Sequence, residues 1–243
     1  MASCRRASAG RLARHRLARP IARRMGGLSL VELLIGVAIG LVIAAATATF
    51  LAGTLRDNRS LLLESRLMQD LRTAADVVAR DLRRAGYWAD AAAGVWLPGA
   101  GGVSTNPYLA LAPATAASDA ASFAFSRDAV ENGLVDGNEQ FGFRLRNGVI
   151  EMQLGAGNWQ ALTDSGSLTV TAFAVTPARQ SIPLAELCPG ECPAGSTTCP
   201  PRLEVRSLAV RITGRAVADL AMSRTVRSQV RLRSDPVIGS CAT

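Results

Sequence analysis

The chain has 243 residues, with 27 arginines, 19 aspartates and glutamates and a formal net charge of +8. It has no lysine and a single histidine, His15, which excludes histidine-activated nucleophiles, zinc-binding histidine helices, phosphate-loop lysines and Schiff bases. The acids are scattered and provide no particular pair for glycoside hydrolysis. We therefore expect no catalytic residues, no cofactor and no metal site.

The excess of positive charge is confined to the N-terminal segment. Eight of the arginines and none of the acids lie in residues 1–27, so the rest of the chain has 19 arginines against 19 acids. Arginines ahead of an apolar run keep that end of the chain on the cytoplasmic side of the membrane. The basic composition therefore does not predict a nucleic-acid partner.

A lone carboxylate, Glu32, stands at the start of 23 residues without a charge, residues 33–55. Such a run is long enough to span about 30 Å of hydrocarbon. Moving an ionised carboxylate into that layer costs at least ~2.5 kcal/mol, so Glu32 needs a compensating partner.

Residues 26–32, with the sequence GGLSLVE behind two consecutive arginines, resemble the prepilin signature of the type IV pilin superfamily. The resemblance implies that a prepilin peptidase cuts after Gly27 and that Leu28 becomes an N-methylated N-terminus. It also implies that Glu32 meets the N-terminal amine of a neighbouring subunit and sets the axial stagger of a filament.

Two simpler interpretations compete with this one. A conventional secretion or twin-arginine signal with a small-residue cleavage site at residues 44–46 explains the arginines and the apolar run. A plain single-pass anchor explains the length of the run. Neither explains a glutamate four residues after Leu28.

The helical pattern continues past the apolar run as an amphipathic segment. Apolar residues recur at three- and four-residue spacing, and they are Leu67, Leu71, Ala74, Val78, Leu82 and Ala85. No proline interrupts residues 28–85, and Gly86 is a C-terminal stop signal. We predict one continuous helix of roughly 87 Å, divided into an apolar half at 28–56 and an amphipathic half at 57–86.

The end of this helix carries a narrower resemblance. Residues 80–88, with the sequence RDLRRAGYW, resemble the same segment of PilW-type minor pilins, and the minor pseudopilin J of type II secretion shares the general plan. Independently of that resemblance, the arginines suit the helix macrodipole, and we expect Tyr87 and Trp88 to pack on the head.

Residues 87–243 are predicted to form one globular head. Residues 89–120 form a surface loop, strands begin near 122–125, and Asn147-Gly148 joins strands 140–146 and 149–154 in a type I′ hairpin. Further strands are predicted at 167–175, 203–213 and 225–233. The fold class is therefore α+β and type IV pilin-like, with a long N-terminal helix packed on an antiparallel β-sheet head.

Two head segments allow alternative functions. Residues 136–139, with the sequence DGNE, contain oxygen ligands suited to calcium but lack the twelve-residue loop pattern, so we favour a plain turn. In strand 225–233, one face carries Arg227, Gln229, Arg231 and Arg233. That face either contacts DNA phosphates or pairs with acids of the helix or a neighbour. Without interleaved aromatics, we favour ion pairs.

Four cysteines follow the predicted cleavage point: Cys188, Cys192, Cys199 and Cys241. An even number in an exported head indicates two disulfides. Three of them crowd one loop, so one of those three must reach Cys241. The spacing leaves three connectivities open, and a four-thiolate zinc site is the alternative.

The resemblance implies a PilW-type minor pilin that helps initiate or cap a type IV pilus. Its implied location is the inner membrane, with a single pass, a periplasmic head and later incorporation into a surface pilus. The implied partners are the prepilin peptidase, other minor pilins, the major pilin and the inner-membrane assembly platform. The alternatives are a J-like pseudopilin of type II secretion and a membrane-anchored periplasmic binding domain that never polymerises.

Overall fold

The computed structural model describes Gly27, residues 29–94 and residues 104–242. Residues 1–26, which precede the predicted cleavage point, and Leu28 lie outside the described residues. By its contacts the chain divides into two compact units, Met1–Thr54 and Leu55–Thr243.

One long helix, α1, runs from Leu30 to Leu82. It ends three residues before the predicted end, because the amides of Arg84 and Ala85 bond carbonyls only three residues back. Gly86 then adopts a φ of +77°, and its amide donates to Ala124 O at 2.8 Å. The predicted stop at Gly86 is thus a left-handed turn, at which the chain leaves the helix direction and approaches the sheets.

In the first unit, α1 is apolar and is long enough to cross a membrane by length and composition. The hydroxyls of Thr47, Thr49 and Thr54 donate to backbone carbonyls three or four residues earlier. Their polar atoms are therefore satisfied within the helix, which is what a hydrocarbon environment requires. These features are consistent with a membrane anchor.

The second unit contains two antiparallel sheets where a single sheet was predicted. The first has five strands in the order β1-β2-β3-β4-β5, and these are β1 Leu111–Ala112, β2 Ala120–Ala124, β3 Gln140–Arg146, β4 Val149–Leu154 and β5 Trp159–Ala161. The second has the order β6-β7-β8, with β9 paired to β7, and these are β6 Leu168–Pro183, β7 Arg202–Ala216, β8 Asp219–Arg231 and β9 Val237–Ile238.

The hairpin between β3 and β4 confirms the prediction to the residue. Asn147 and Gly148 have φ values of +50° and +76°, the two positive angles of a type I′ turn. By contrast, β6 extends eight residues past the predicted end at 175. Pro177 does not stop it because β6 is an edge strand, where a missing amide costs no ladder bond.

The core lies between the amphipathic half of α1 and the sheets. All six apolar positions predicted for this face are buried, as are Ala75 and Ala79. They share one cluster with three phenylalanines of the first sheet, with Phe125 just after β2, and with apolar residues of β6, β7 and β8. Gly214 on β7 permits this close packing, since a Cβ there would overlap the Leu168 side chain and lie 3.1 Å from Leu71 Cδ2.

Candidate processing site and head surfaces

The predicted cleavage point lies just ahead of α1. Gly27 is exposed, and nothing lies within 4 Å of the position that a Cβ would occupy there. Leu33 N–H donates to Ser29 O at 3.1 Å, so the helical bonding begins directly after the site. Leu28, the predicted site of N-methylation, lies outside the described residues, and cleavage and methylation stay predictions.

Glu32 lies in the first turn of α1 and is exposed. A carboxylate at this position interacts favourably with the partial positive charge of the helix N-terminus. That interaction is weaker than a full ion pair, so it does not remove the need for a cationic partner in a hydrocarbon environment. Pairing with a neighbouring subunit's amine remains a prediction.

The turn that follows α1 contacts the residue that follows β2. The Arg84 guanidinium lies 4.0 Å from the centre of the Phe125 ring, a cation–π contact. Trp88 is buried with Tyr108 and Ala124 in a small second cluster. Tyr87 is 54% exposed, so the prediction that both aromatic residues pack on the head holds for Trp88 and is wrong for Tyr87.

The predicted turn at 136–139 is held by a buried polar network. Glu139 is fully buried, and its carboxylate accepts the Arg127 amide at 2.7 Å and the Asp136 amide at 3.0 Å. The Tyr108 hydroxyl lies 3.0 Å from carboxylate oxygens of both Glu139 and Glu131. Burial and these carboxylates raise the pKa of Tyr108 far above its ordinary value.

This network explains the DGNE segment without an ion. Carboxylate oxygens of Asp128, Asp136 and Glu139 do lie within 4.8 Å of one another. Partial burial and the neighbouring carboxylates raise the pKa of Asp128. However, backbone amides already hold both oxygens of Glu139, and residues 137–139 form a 3₁₀ turn. The turn interpretation therefore accounts for these residues.

The four cysteines that follow the predicted cleavage point are all paired in the structure. Cys188 joins Cys241 across 53 residues, and we call this the long-range disulfide. Cys192 joins Cys199 across seven residues, and we call this the local disulfide. The pairing of β9 with β7 places the C-terminal segment beside the cysteine loop. The structure thus selects one of the three connectivities, and it leaves none of these four sulfurs as a thiolate for the alternative zinc site.

The arginine face of β8 is only partly neutralised. Arg231 pairs with Asp235 at 2.7 Å, and Arg224 on the same strand pairs with Glu64 of α1 at 2.7 Å. Arg227 has no ion pair within 4.0 Å among the residues that the structure describes. The partner of Arg231 is thus a local acid of the same chain and not an acid of the helix. Arg233 likewise has no ion pair among the described residues, and pairing of this face with a neighbouring subunit stays a prediction.

Two buried polar side chains that organise the head escaped the sequence analysis. Tyr108 lies in the segment predicted as a surface loop. Arg206 is 5% exposed, and its guanidinium donates to Leu109 O at 2.8 Å and Ser234 O at 2.9 Å. In the sequence these residues appear only as a tyrosine in an alanine-rich loop and an arginine in a strand. Neither pattern predicts a buried side chain.

A long, apolar N-terminal helix whose second half packs on antiparallel β-sheets defines the chain as a pilin-like α+β protein. The model of the family described as prepilin peptidase-dependent protein B (PpdB) matches residues 60–232. The chain belongs to this family. The match excludes the N-terminal signature at 26–32 and therefore supports the pilin relationship independently of it. No curated protein and no solved structure gives a significant match.

Proposed function

We propose that the chain is a minor pilin of the PilW type that helps initiate or cap assembly of a type IV pilus. It enters the inner membrane with its arginines inside, is cut after Gly27 by the prepilin peptidase, and is methylated at Leu28. The apolar half of α1 then leaves the membrane for the core of a filament. The protein has no enzymatic activity and acts through contacts with other subunits.

The position of Glu32 carries the proposal. An acid at the start of an apolar helix is unfavourable for a simple anchor and becomes favourable only when a cation approaches it. The new amine at Leu28 of a neighbouring subunit supplies that cation. The family match supports dependence on prepilin peptidase, which would create this amine.

The proposed partners after processing are other minor pilins, the major pilin and the inner-membrane assembly platform. A J-like pseudopilin of type II secretion would use the same helix and the same processing. Deletion of the gene separates the two functions: loss of surface pili supports the PilW type, whereas loss of exported enzymes with normal pili supports the J kind.

The processing step is tested by intact-mass and N-terminal peptide mass spectrometry of the membrane-extracted protein without reducing agent. We expect a chain that begins at methylated Leu28, with its four cysteines oxidised. A chain that begins near Thr47, or one that retains residues 1–27, would contradict processing by a prepilin peptidase.

The assembly step is tested with Glu32→Ala. The variant should be cut and methylated normally but should enter sheared pilus fractions far less than the wild type, because the amine of its neighbour loses its partner. Asp57→Ala is a matched control, since Asp57 is an exposed acid on α1 without an ion pair among the described residues. Equal incorporation of both variants would remove the role assigned to Glu32.

A further inference from the structure

The outer face of the second sheet contains an open groove of about 590 Å³. Its floor consists of small side chains from β6 and β7, Ala174, Thr176 and Ala209. Arg211, Arg227 and Gln229 also line it. The groove lies on the face opposite α1, since the alternate residues of β7, such as Val210 and Ile212, are buried in the core.

Arg211 and Arg227 are directly opposite each other on neighbouring strands of this sheet. Directly opposed residues on adjacent antiparallel strands have Cβ atoms about 5 Å apart, and like charges at that distance destabilise the pairing. Both side chains are exposed. The sheet therefore holds two guanidinium groups together at a cost to its own stability.

No acid of the chain offsets this charge. All 19 aspartates and glutamates lie in the residues that the structure describes, and none of those residues forms an ion pair with Arg211 or Arg227 within 4.0 Å. Four other strand arginines have carboxylate partners, and these are Arg144, Arg179, Arg224 and Arg231. Arg211 and Arg227 differ from further unpaired strand arginines, such as Arg146, in lying directly opposite each other. The pair in the groove is thus free to bind an external anion.

We propose that this groove docks an extended acidic segment of a partner protein, with a carboxylate held between Arg211 and Arg227. Guanidinium groups bind carboxylates through two parallel hydrogen bonds, which gives orientation as well as charge. The small floor residues leave room for the backbone of the segment, and Gln229 offers an amide beside it. The inference concerns the head alone and does not depend on filament assembly.

The surroundings favour a peptide over a nucleic acid. Binding along a phosphate backbone uses a long stripe of positive charge and aromatic rings for the bases. Here the next arginine along β8, Arg231, is neutralised by Asp235, and no aromatic residue lines the groove. Arg215 and Arg233 lie on the same face without an ion pair among the described residues, but neither lines the groove. The charged residues of the groove itself are one pair, which matches one or two carboxylates.

The test uses the full chain in a non-ionic detergent and a fluorescent peptide of about ten residues in which glutamate alternates with serine, so that the carboxylates share one face. We expect binding that weakens with added salt. Arg211→Gln combined with Arg227→Gln should weaken it at least about tenfold, because each charge-assisted hydrogen bond to a carboxylate is lost. The same peptide with glutamine in place of glutamate should not bind.

Arg146→Gln is the matched control, because Arg146 is an exposed strand arginine of the first sheet. It should leave the affinity within about twofold. Circular dichroism melts verify folding, and the groove variant should melt no lower than the wild type, since it loses a repulsive pair. Equal affinity in the wild type and both variants, or tighter binding of single-stranded DNA than of the acidic peptide, would overturn the proposal.

In cells, a photo-crosslinking amino acid in place of Ala209 identifies the partner segment. We expect the crosslinked peptide to contain aspartate or glutamate, and we expect Arg211→Glu with Arg227→Glu to abolish the crosslink. In that double-glutamate variant, replacing the partner's acidic residue with arginine should restore the crosslink. A crosslink to lipid or nucleic acid, or one that is insensitive to these charges, would contradict an acidic protein segment as the occupant.

Discussion

The buried hydroxyl of Tyr108 provides the sharpest test of the polar network in the head. Tyr108→Phe removes one oxygen, which lies 3.0 Å from Glu139 Oε2, from Glu131 Oε1 and from Leu134 O. The ring stays in place, so the change isolates the hydrogen bonds from the packing. Glu139 is fully buried and cannot replace the lost donor with bulk water.

Hydrogen bonds to charged groups contribute about 1.5–3 kcal/mol each. We expect Tyr108→Phe to lower the free energy of unfolding by about that amount. For a folded unit of this size, 1 kcal/mol shifts the melting temperature by about 2–4 °C. The expected decrease in melting temperature is therefore about 3–12 °C, measured by circular dichroism on the full chain in detergent with its disulfides intact.

The only other tyrosine, Tyr87, supplies the control because it is 54% exposed. Tyr87→Phe should change stability by no more than about 0.5 kcal/mol. These expectations fail if Tyr108→Phe has the melting temperature of the wild type, or if Tyr87→Phe loses as much stability as Tyr108→Phe. In either case the network does not hold the turn, and the assignment of Glu139 as a structural acceptor is wrong.

The raised pKa of Tyr108 also predicts how the stability of the head depends on pH. The folded-state pKa of Tyr108 is raised above its unfolded value near 10, so the fold favours the neutral phenol. Its contribution is fully present below about pH 10 and is lost as the pH rises toward the folded pKa, because only the unfolded chain releases the proton. Wild-type stability should thus fall more steeply above about pH 10 than that of Tyr108→Phe.

Two further changes test the packing and the cross-links. Serine in place of both cysteines of the long-range disulfide should destabilise the head about 2 kcal/mol more than the same change in the local disulfide. The reason is that closed loops of 53 and seven residues differ by about that much in the chain entropy of the unfolded state. Equal chemical-denaturation midpoints of the two variants would contradict this. Gly214→Ala should cost about 1–3 kcal/mol through overpacking against Leu71 and Leu168, and an unchanged melt would show that the helix can shift away.

The sequence predicted the features that depend on local patterns. The buried face of α1 follows from a three- and four-residue apolar period, and the hairpin at Asn147-Gly148 follows from the positive φ angles of its turn. Both signals are contained within a few residues of the feature itself. The even cysteine count likewise predicted two bridges, although spacing did not choose the pairs.

The features that the sequence did not predict depend on contacts between distant residues. Strands of two or three residues, such as β1 and β9, are too short to show a period and form only because a longer strand pairs with them. The juxtaposition of Arg211 and Arg227 depends on the register of β7 with β8. Arg227 was recognised as exposed, but its charged neighbour could not be identified without that register.

The long-range disulfide also determines how the head responds to tension. Because Cys188 is joined to Cys241, strands β7, β8 and β9 lie inside a covalent loop of 53 residues. A force applied between the two ends of the chain can separate these strands from α1 but cannot stretch them lengthwise. In a single-molecule pulling experiment the oxidised chain should reach full extension about 180 Å earlier than the reduced chain. The last third of the head is therefore shielded from mechanical load.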